Sequence, residues 1–204
     1  VARDIGADCW KTGMLYDGAT IEMVAELYDE IGASVPLVVD PVMIAKGGHS
    51  LLDPAALDVL KQALIPRATI VTPNVPEAEL LAGTQICSQD DVARAADELM
   101  ALGCQTVLVK GGHLQGPVVS DLLCTSEGAE VFEASRIESN HTHGTGCTLA
   151  SAIATGLAQG FTITDAVTRG RAYLRAAILS APQIGRGNGP VNHAHTVVPF
   201  EVEG

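Results

Sequence analysis

The chain has 204 residues and a formal net charge of -12, and 47% of its residues are hydrophobic while only 3% are aromatic. The negative charge and the few aromatic rings argue against nucleic acid and anionic membranes as partners. No apolar run reaches about 18 residues, so the sequence predicts a soluble protein. Five cysteines, an odd number without Cys-x-x-Cys spacing, predict reduced thiols and a cytoplasmic location.

Strands and helices are predicted to alternate along the first half of the chain. Short apolar runs predict strands at residues 7–15, 36–40 and 68–72. Apolar residues at helical spacing predict helices at residues 19–31, 54–64 and 77–82. Each predicted strand leads into a helix, which is the order typical of a parallel sheet.

The second half continues the alternation and adds one hairpin. Strands are predicted at residues 106–110, 118–124 and 130–135, and the last two form the antiparallel hairpin. Helices are predicted between Ser88 and Leu102, from Cys147 to Gly160, and from Thr162 onward. The tail from residue 185 is rich in glycine, proline, asparagine and histidine and predicts a loop.

This order predicts a layered α/β domain with a mostly parallel sheet and helices on both faces. Ligands of such sheets bind at the carboxyl ends of the strands. Polar residues fall at that edge, because Asp40 ends one strand, Asn74 and Glu77 follow another, and Lys110 ends a third. We therefore expect these side chains to line one cleft.

A glycine-rich turn that opens a predicted helix is the most informative segment. Gly144, Thr145 and Gly146 present unpaired N–H groups at the positive end of the helix dipole, which suits a phosphate or a developing anion. Cys147 follows in the first turn, where the same field is expected to lower the pKa of its thiol. A merely packed cysteine is one alternative, and a cysteine hydrolase that pairs Cys147 with His143 is another.

The residues at the strand ends favour phosphoryl transfer. Asp40 and Glu77 are candidate ligands of Mg²⁺, which prefers carboxylates, waters and phosphates. Lys110 can meet a phosphate, and Gly111 and Gly112 behind it permit close approach of the backbone to a ligand. Capping carboxylates and a solvated lysine are the alternatives. Phosphoryl transfer uses all these groups together, whereas a cysteine hydrolase leaves the carboxylates and the lysine unexplained.

Six segments carry a resemblance to a known family. They are residues 11–15 (KTGML), 39–46 (VDPVMIAK), 72–77 (TPNVPE), 109–113 (VKGGH), 142–148 (THGTGCT) and 189–195 (GPVNHAH). In this order, and over nearly the whole chain, they resemble the hydroxymethylpyrimidine/phosphomethylpyrimidine kinases of thiamine biosynthesis, in the ribokinase-like superfamily. The Gly-Thr-Gly-Cys sequence is fairly diagnostic, because most related kinases have aspartate where Cys147 stands.

The resemblance implies a three-layer ribokinase-like fold and an ATP-dependent kinase. Its substrates would be 4-amino-5-hydroxymethyl-2-methylpyrimidine and then the monophosphate of that compound. Cys147 would be the base or polarising group for the hydroxymethyl group, and residues 144–146 would form an anion hole. The expected cofactors are ATP and Mg²⁺, and a homodimer is also implied.

The same resemblance assigns the remaining site residues. Asp40 and Glu77 match carboxylates of the metal site, and Met43 and Lys46 belong to a loop near the substrate. The residues that match the nucleotide side are Asn74, Lys110, Gly111 and Gly112.

Two departures from the family pattern leave alternatives open. Ala194 stands where the family usually has a bulky aromatic residue, and the segments of the family's N-terminal third are absent. We therefore expect residues 1–204 to form a single kinase domain that is incomplete at its N-terminus. The alternatives are a pyridoxal or pyridoxine kinase, whose substrates also carry a hydroxymethyl group, and a non-catalytic truncated module.

Overall fold

The computed structural model describes residues 2–44, 49–184 and 186–197, and a six-stranded sheet organises them. The strands are β1 (Trp10–Thr12), β2 (Leu37–Val39), β3 (Ile70–Val71), β4 (Val107–Val109), β5 (Val118–Thr125) and β6 (Gly128–Ser135). They lie in the sheet in sequence order. Strands β1 to β4 are parallel, whereas β5 and β6 are added as an antiparallel hairpin. The prediction of a mostly parallel sheet with one hairpin is confirmed.

Helices cover both faces of this sheet. They are α1 (Gly18–Ile31), α2 (Leu57–Val59), α3 (Val75–Ala82), α4 (Gln89–Ala101), α5 (Thr145–Ala158) and α6 (Ile163–Leu179). In the part of the chain that the structure describes, no helix is long and apolar enough to cross a membrane.

The alternation of side chains along the strands divides the core into two layers. In β2, Val38 points to one face and packs in a cluster with Ile153 of α5, together with residues of α6. Val39 points to the other face and packs in a cluster with Ile21 of α1. Because successive strand residues face opposite sides, a strand buried on both faces must be continuously apolar, as the sequence of β2 is.

Side-chain caps fix where α1, α4 and α6 begin, and α3 has a capping box that belongs to the site described below. Asp17 accepts a hydrogen bond from the N–H of Thr20 over 2.8 Å and caps α1. Ser88 caps α4 and Thr162 caps α6, as the sequence predicts. Each cap satisfies an N–H group that the helix itself leaves unpaired.

Two predicted elements differ from the structure. The strand predicted at 7–15 extends only over Trp10–Thr12. The helix predicted at 54–64 is a helical run that passes through 3₁₀, α and π turns before it ends at Arg67. Pro66 has no N–H and its ring crowds the preceding turn, and the N–H of Ile65 accordingly reaches back to Leu60 in a π-type bond.

Candidate active site

The carboxyl ends of β2, β3 and β4 bring the predicted cleft residues together. Asp40 follows β2, Asn74 lies just beyond β3, and Lys110 follows β4. A parallel bridge pairs Asn74 with Lys110, whose N–H donates to the carbonyl of Pro73 over 2.8 Å. The short parallel strands therefore hold these residues side by side at one edge of the sheet.

An ion pair between Asp40 and Lys110 lies at this edge. Lys110 Nζ donates to Asp40 Oδ1 over 2.9 Å, and the two side chains are 2% (Asp40) and 13% (Lys110) exposed. Thr72 Oγ1 donates to the same oxygen over 3.3 Å. Asp40 Oδ2 is buried and has no hydrogen-bond partner among the described residues. Lys110 is thus not an ordinary solvated lysine, and Asp40 presents an unsatisfied acceptor of a kind that proteins seldom bury.

The glycine turn before α5 leaves the N-terminus of that helix uncapped by any described side chain. Gly144 is the N-cap residue and has φ +81°, a left-handed conformation that favours glycine. The hydroxyl of Thr145 turns away and donates to the carbonyl of Thr142 over 3.2 Å. The first N–H groups of α5 are therefore available to an anion.

This helix end and the ion pair share one small space. A Cβ atom built on Gly146 would lie 3.3 Å from Lys110 Nζ and 3.9 Å from Asp40 Oδ2. A side chain at this position would therefore fill the region between the lysine and the helix N-terminus. The absence of a Cβ keeps that region open for a ligand group.

The ionisation of Cys147, in the first turn of α5, differs from the prediction. Desolvation and the neighbouring Asp40 carboxylate raise the pKa of the Cys147 thiol, while Lys11 and Lys110 oppose the rise only in part. The expected lowering of this pKa is therefore wrong for the protein without ligands. Desolvation of the thiol is the larger cause of the raised pKa, and the Asp40 carboxylate is the charge that adds to it.

Glu77 both caps α3 and belongs to the electrostatic site. It is 3% exposed, its Oε2 accepts from the N–H of Asn74 over 2.8 Å, and its own N–H donates to Asn74 Oδ1 over 2.9 Å. This reciprocal pair is a capping box. Burial raises the pKa of Glu77, Asp40 adds to the rise, and Lys110 together with the N–H groups of Asn74 and Met43 opposes it.

Asp40 and Glu77 are the two carboxylates that could hold a divalent cation here. Within residues 2–44, 49–184 and 186–197, no three or more His, Cys, Asp or Glu side chains are grouped to hold a metal ion. Mg²⁺ needs no such group, because it binds through one or two carboxylates and completes its shell with waters and substrate phosphates. The unpartnered Oδ2 of Asp40 fits such an ion.

Of the two residues of the expected substrate loop, the structure describes Met43. Met43 is 3% exposed and packs in the apolar core, so its side chain supports the cleft from within rather than lining an open substrate site. The assignment of Met43 to a loop near the substrate stays a prediction. Lys46 lies outside the described residues.

The two glycines after Lys110 have different environments. A Cβ atom on Gly111 would lie 1.9 Å from the carbonyl oxygen of Ser120, so only glycine fits there. The N–H of Gly111 donates to Asp121 Oδ1 over 2.9 Å. A Cβ on Gly112 would meet no atom within 4 Å, so this position leaves room for a ligand.

Sequence reasoning missed a buried ion pair behind Gly111. Arg171 Nε donates to Asp121 Oδ2 over 2.8 Å, and the side chains of Arg171 and Asp121 are 14% and 9% exposed. Arg171 also donates to the carbonyl of Phe132 over 2.9 Å. The pair therefore ties α6 and the hairpin to the turn that carries Lys110. A charged residue beside the apolar run Leu122–Cys124 of β5 is the signal that could have identified it.

We expect Asp121→Ala to lower the free energy of unfolding by about 3–5 kcal/mol, because it leaves Arg171 buried without its counter-ion. Asp29→Ala is the matched control, since Asp29 accepts from Arg67 Nε over 2.8 Å but its side chain is 51% exposed. The control should lose only about 0–1 kcal/mol. Urea denaturation measures both losses, and equal losses would contradict a structural role for the buried pair.

Comparison with known proteins places the chain among vitamin kinases. The family model described as phosphomethylpyrimidine kinase matches residues 1–192. The hydroxymethylpyrimidine/phosphomethylpyrimidine kinase of Bacillus subtilis is 44% identical over 194 residues, which is 95% of this chain and 71% of that protein. The thiamine biosynthesis bifunctional protein ThiED of Geobacter sulfurreducens is 48% identical over 193 residues, which is 95% of this chain but 39% of that protein.

Solved structures of two kinds of kinase are similar to this fold. An ADP complex of Bacillus subtilis pyridoxal kinase has a TM-score of 0.86 at 34% identity, over 96% of this chain and 73% of that one. The phosphomethylpyrimidine kinase of Clostridium difficile has a TM-score of 0.76 at 40% identity, over 87% of this chain and 72% of that one.

Proposed function

The chain belongs to the phosphomethylpyrimidine kinase family and has the ribokinase-like fold, and we propose that its cleft phosphorylates a hydroxymethylpyrimidine with ATP. The proposed substrates are 4-amino-5-hydroxymethyl-2-methylpyrimidine and then its monophosphate, for thiamine diphosphate synthesis. The observation that carries the proposal is the position of the Asp40–Lys110 pair against the N-terminus of α5. The cytoplasmic location and the homodimer stay predictions.

The phosphate groups of ATP are assigned to the space between Lys110 and α5. Lys110 Nζ supplies a positive charge beside the phosphates. The uncapped N–H groups of α5 can donate hydrogen bonds to the oxygens of the phosphoryl group during its transfer. We assign Asn74 and Gly112 to the nucleotide side of the site. Asn74 pairs with Lys110 through a parallel bridge, and the space beside Gly112 is open. A magnesium ion held by Asp40 and Glu77 would neutralise charge on the phosphate oxygens.

Cys147 is assigned to the acceptor hydroxyl. In the proposed reaction the hydroxymethyl oxygen bonds to the γ-phosphorus, ADP leaves, and the hydroxyl proton passes to the Cys147 thiolate. The raised pKa of Cys147 makes this thiolate scarce in the protein without ligands. A positive charge bound to Asp40 would remove the main charge that disfavours the thiolate, so binding at Asp40 would prepare Cys147 as a base.

Pyridoxal phosphorylation is the second candidate function. The specific observation in its favour is the TM-score of 0.86 with the pyridoxal kinase structure. The sequence relatives at 43–48% identity, in contrast, are hydroxymethylpyrimidine/phosphomethylpyrimidine kinases and the bifunctional thiamine protein. We rank the pyrimidine first because sequence identity reports on the substrate side of a site more directly than overall backbone similarity does.

A competition assay tests this ranking. The full-length natural protein is given ATP, Mg²⁺ and equal amounts of hydroxymethylpyrimidine and pyridoxal, and both phosphate esters are quantified by mass spectrometry. The proposal expects the pyrimidine ester to form with the larger kcat/KM. Faster formation of pyridoxal phosphate would make the protein a pyridoxal kinase, and no ATP-dependent ester of either kind would overturn the kinase assignment.

Glu77→Gln should lower Mg²⁺-dependent turnover while leaving the fold intact. The glutamine carbonyl can still accept from the N–H of Asn74, whereas the negative charge that suits a cation is lost. Burial raises the pKa of Glu77 in the folded protein above its pKa in the unfolded chain. At pH values above the unfolded-chain pKa, the ionised carboxylate is therefore less favourable in the folded state and lowers the free energy of unfolding. The neutral glutamine variant should be at least as stable at pH 7.

Glu79→Gln is the matched control for this variant. Glu79 lies in the same helix and its Oε1 accepts from the N–H of Ile86 over 2.8 Å, but it does not contribute to the electrostatics of the cleft residues. Turnover as a function of Mg²⁺ concentration, together with thermal unfolding, compares the two. Unchanged turnover in a folded Glu77→Gln protein would remove Glu77 from the metal site.

A further inference from the structure

The segment Gly189 to His195 is a sequence motif to which the proposed reaction gives no role. We call residues 189–195 the strap, because they connect the loop before α5 with the end of α6. At its first end, the carbonyl of Gly189 accepts from the N–H of His143 over 3.1 Å, and Pro190 forms a parallel bridge with His143. The strap therefore holds the residue that directly precedes Gly144.

The other end of the strap is anchored on α6. Val191 is 4% exposed. The N–H of Asn192 donates to the carbonyl of Ala177 over 2.9 Å, and its Nδ2 donates to Ser180 Oγ over 3.3 Å. The ring of His195 lies 4.6 Å, centroid to centroid, from a tyrosine ring of α6. These contacts fix the strap relative to a long helix of the core.

Gly189 also lies directly against His141 of the loop. A Cβ atom on Gly189 would lie 2.1 Å from His141 Nδ1 and 2.9 Å from His141 Cε1. That Nδ1 atom is buried and has no hydrogen-bond partner among the described residues. The imidazole is therefore held by packing against the glycine, and an added methyl group must displace it together with the loop that leads to Gly144.

We propose that Gly189 is a positioning residue that sets the location of the anion-binding turn at residues 144–147. It acts through two contacts, the hydrogen bond to His143 and the close packing against His141. The proposal rests on the proposed function, because the positioned turn is the one assigned to the transferring phosphoryl group. It gives the strap a role in turnover rather than only in stability.

Gly189→Ala should lower kcat by about 10²-fold, because a displacement of about 1 Å at a reacting group costs that much. The KM for ATP should change less than kcat, since no hydrogen bond among the described residues joins the strap to Lys110 or Asn74. Gly187→Ala is the matched control, because a Cβ there meets no atom within 4 Å. The double variant His141→Ala/Gly189→Ala removes the displaced ring and should recover most of the lost kcat.

Amide hydrogen exchange at residues 143–147 gives a reading that does not depend on activity. Exchange should be faster in Gly189→Ala than in Gly187→Ala. In the double variant His141→Ala/Gly189→Ala it should return towards the rate of Gly187→Ala. Equal exchange in the two single variants, or a wild-type kcat in folded Gly189→Ala, overturns the proposal. A double variant as impaired as Gly189→Ala also overturns it.

If Gly189→Ala does not fold, Asn192→Ala decides instead, because it removes the side-chain hydrogen bonds to Ser180 Oγ and from the N–H of Ala194 without adding an atom. It should speed exchange at residues 143–147 and lower kcat, and no change in either quantity overturns the proposal. A wild-type protein that phosphorylates no hydroxymethyl substrate would refute the proposed function, while the exchange measurements would still test the strap.

Discussion

Cys147→Ser is expected to lower kcat for hydroxymethylpyrimidine phosphorylation by about 10²–10⁴-fold, the usual contribution of a general base. Serine nearly keeps the size of the side chain, but its hydroxyl is far less acidic than a thiol, and the N-terminus of α5 cannot make it an alkoxide near neutral pH. The measurement is steady-state turnover by the folded variant. Cys87→Ser is the matched control, since Cys87 is also an exposed free cysteine.

The pH dependence of kcat/KM gives the same experiment a second readout. Because the pKa of Cys147 is raised in the free protein, the base becomes available only as the pH rises, so kcat/KM should increase from neutral pH into the alkaline range. Cys147→Asp should retain more activity than Cys147→Ser and should lose this alkaline rise, because its carboxylate is already ionised. Wild-type turnover in folded Cys147→Ser would show that Cys147 is not the base and only packs in the first turn of α5.

Lys110→Met is expected to raise the KM for ATP, lower kcat and destabilise the fold by about 3–5 kcal/mol. The loss of stability arises because Asp40 stays buried and, among the described residues, keeps a side-chain hydrogen bond from the hydroxyl of Thr72 alone. The loss of activity arises because the phosphates lose the cation beside α5. Urea denaturation and steady-state kinetics measure the two effects, and Lys61→Met, in the helical run before β3, serves as the control lysine.

The double variant Asp40→Asn/Lys110→Met separates the two effects. Removing both charges should recover much of the stability, since no uncompensated charge stays buried. It should not recover turnover, because both the lysine and one carboxylate of the metal site are missing. Recovery of turnover together with stability would mean that the pair only supports the fold.

Local sequence patterns predicted the fold well because three of its parallel strands, β2, β3 and β4, are buried on both faces. Continuous apolar runs such as the one at β2 read as parallel strands, and the caps Ser88 and Thr162 mark helix starts that the structure confirms. The run at 54–67 was less predictable, because the effect of Pro66 on the turns before it depends on packing rather than on helical periodicity.

The cleft residues could be listed from the sequence, but their interactions could not. Strand ends predicted that Asp40, Asn74 and Lys110 share an edge, whereas the ion pair and the unpartnered oxygen depend on side-chain geometry. The predicted direction of the Cys147 pKa shift was wrong because a local argument about the helix N-terminus ignores the desolvation of the thiol and the Asp40 carboxylate that follows β2. Asp121 was missed because its partner, Arg171, is distant in sequence.

The measurement that tests the central claim most directly is the time course of products from hydroxymethylpyrimidine, ATP and Mg²⁺ with the full-length natural protein. The account predicts that the monophosphate forms first, that the diphosphate follows from it, and that Cys147→Ser slows the formation of both. It would be contradicted by a folded wild-type protein that forms no phosphate ester from this substrate.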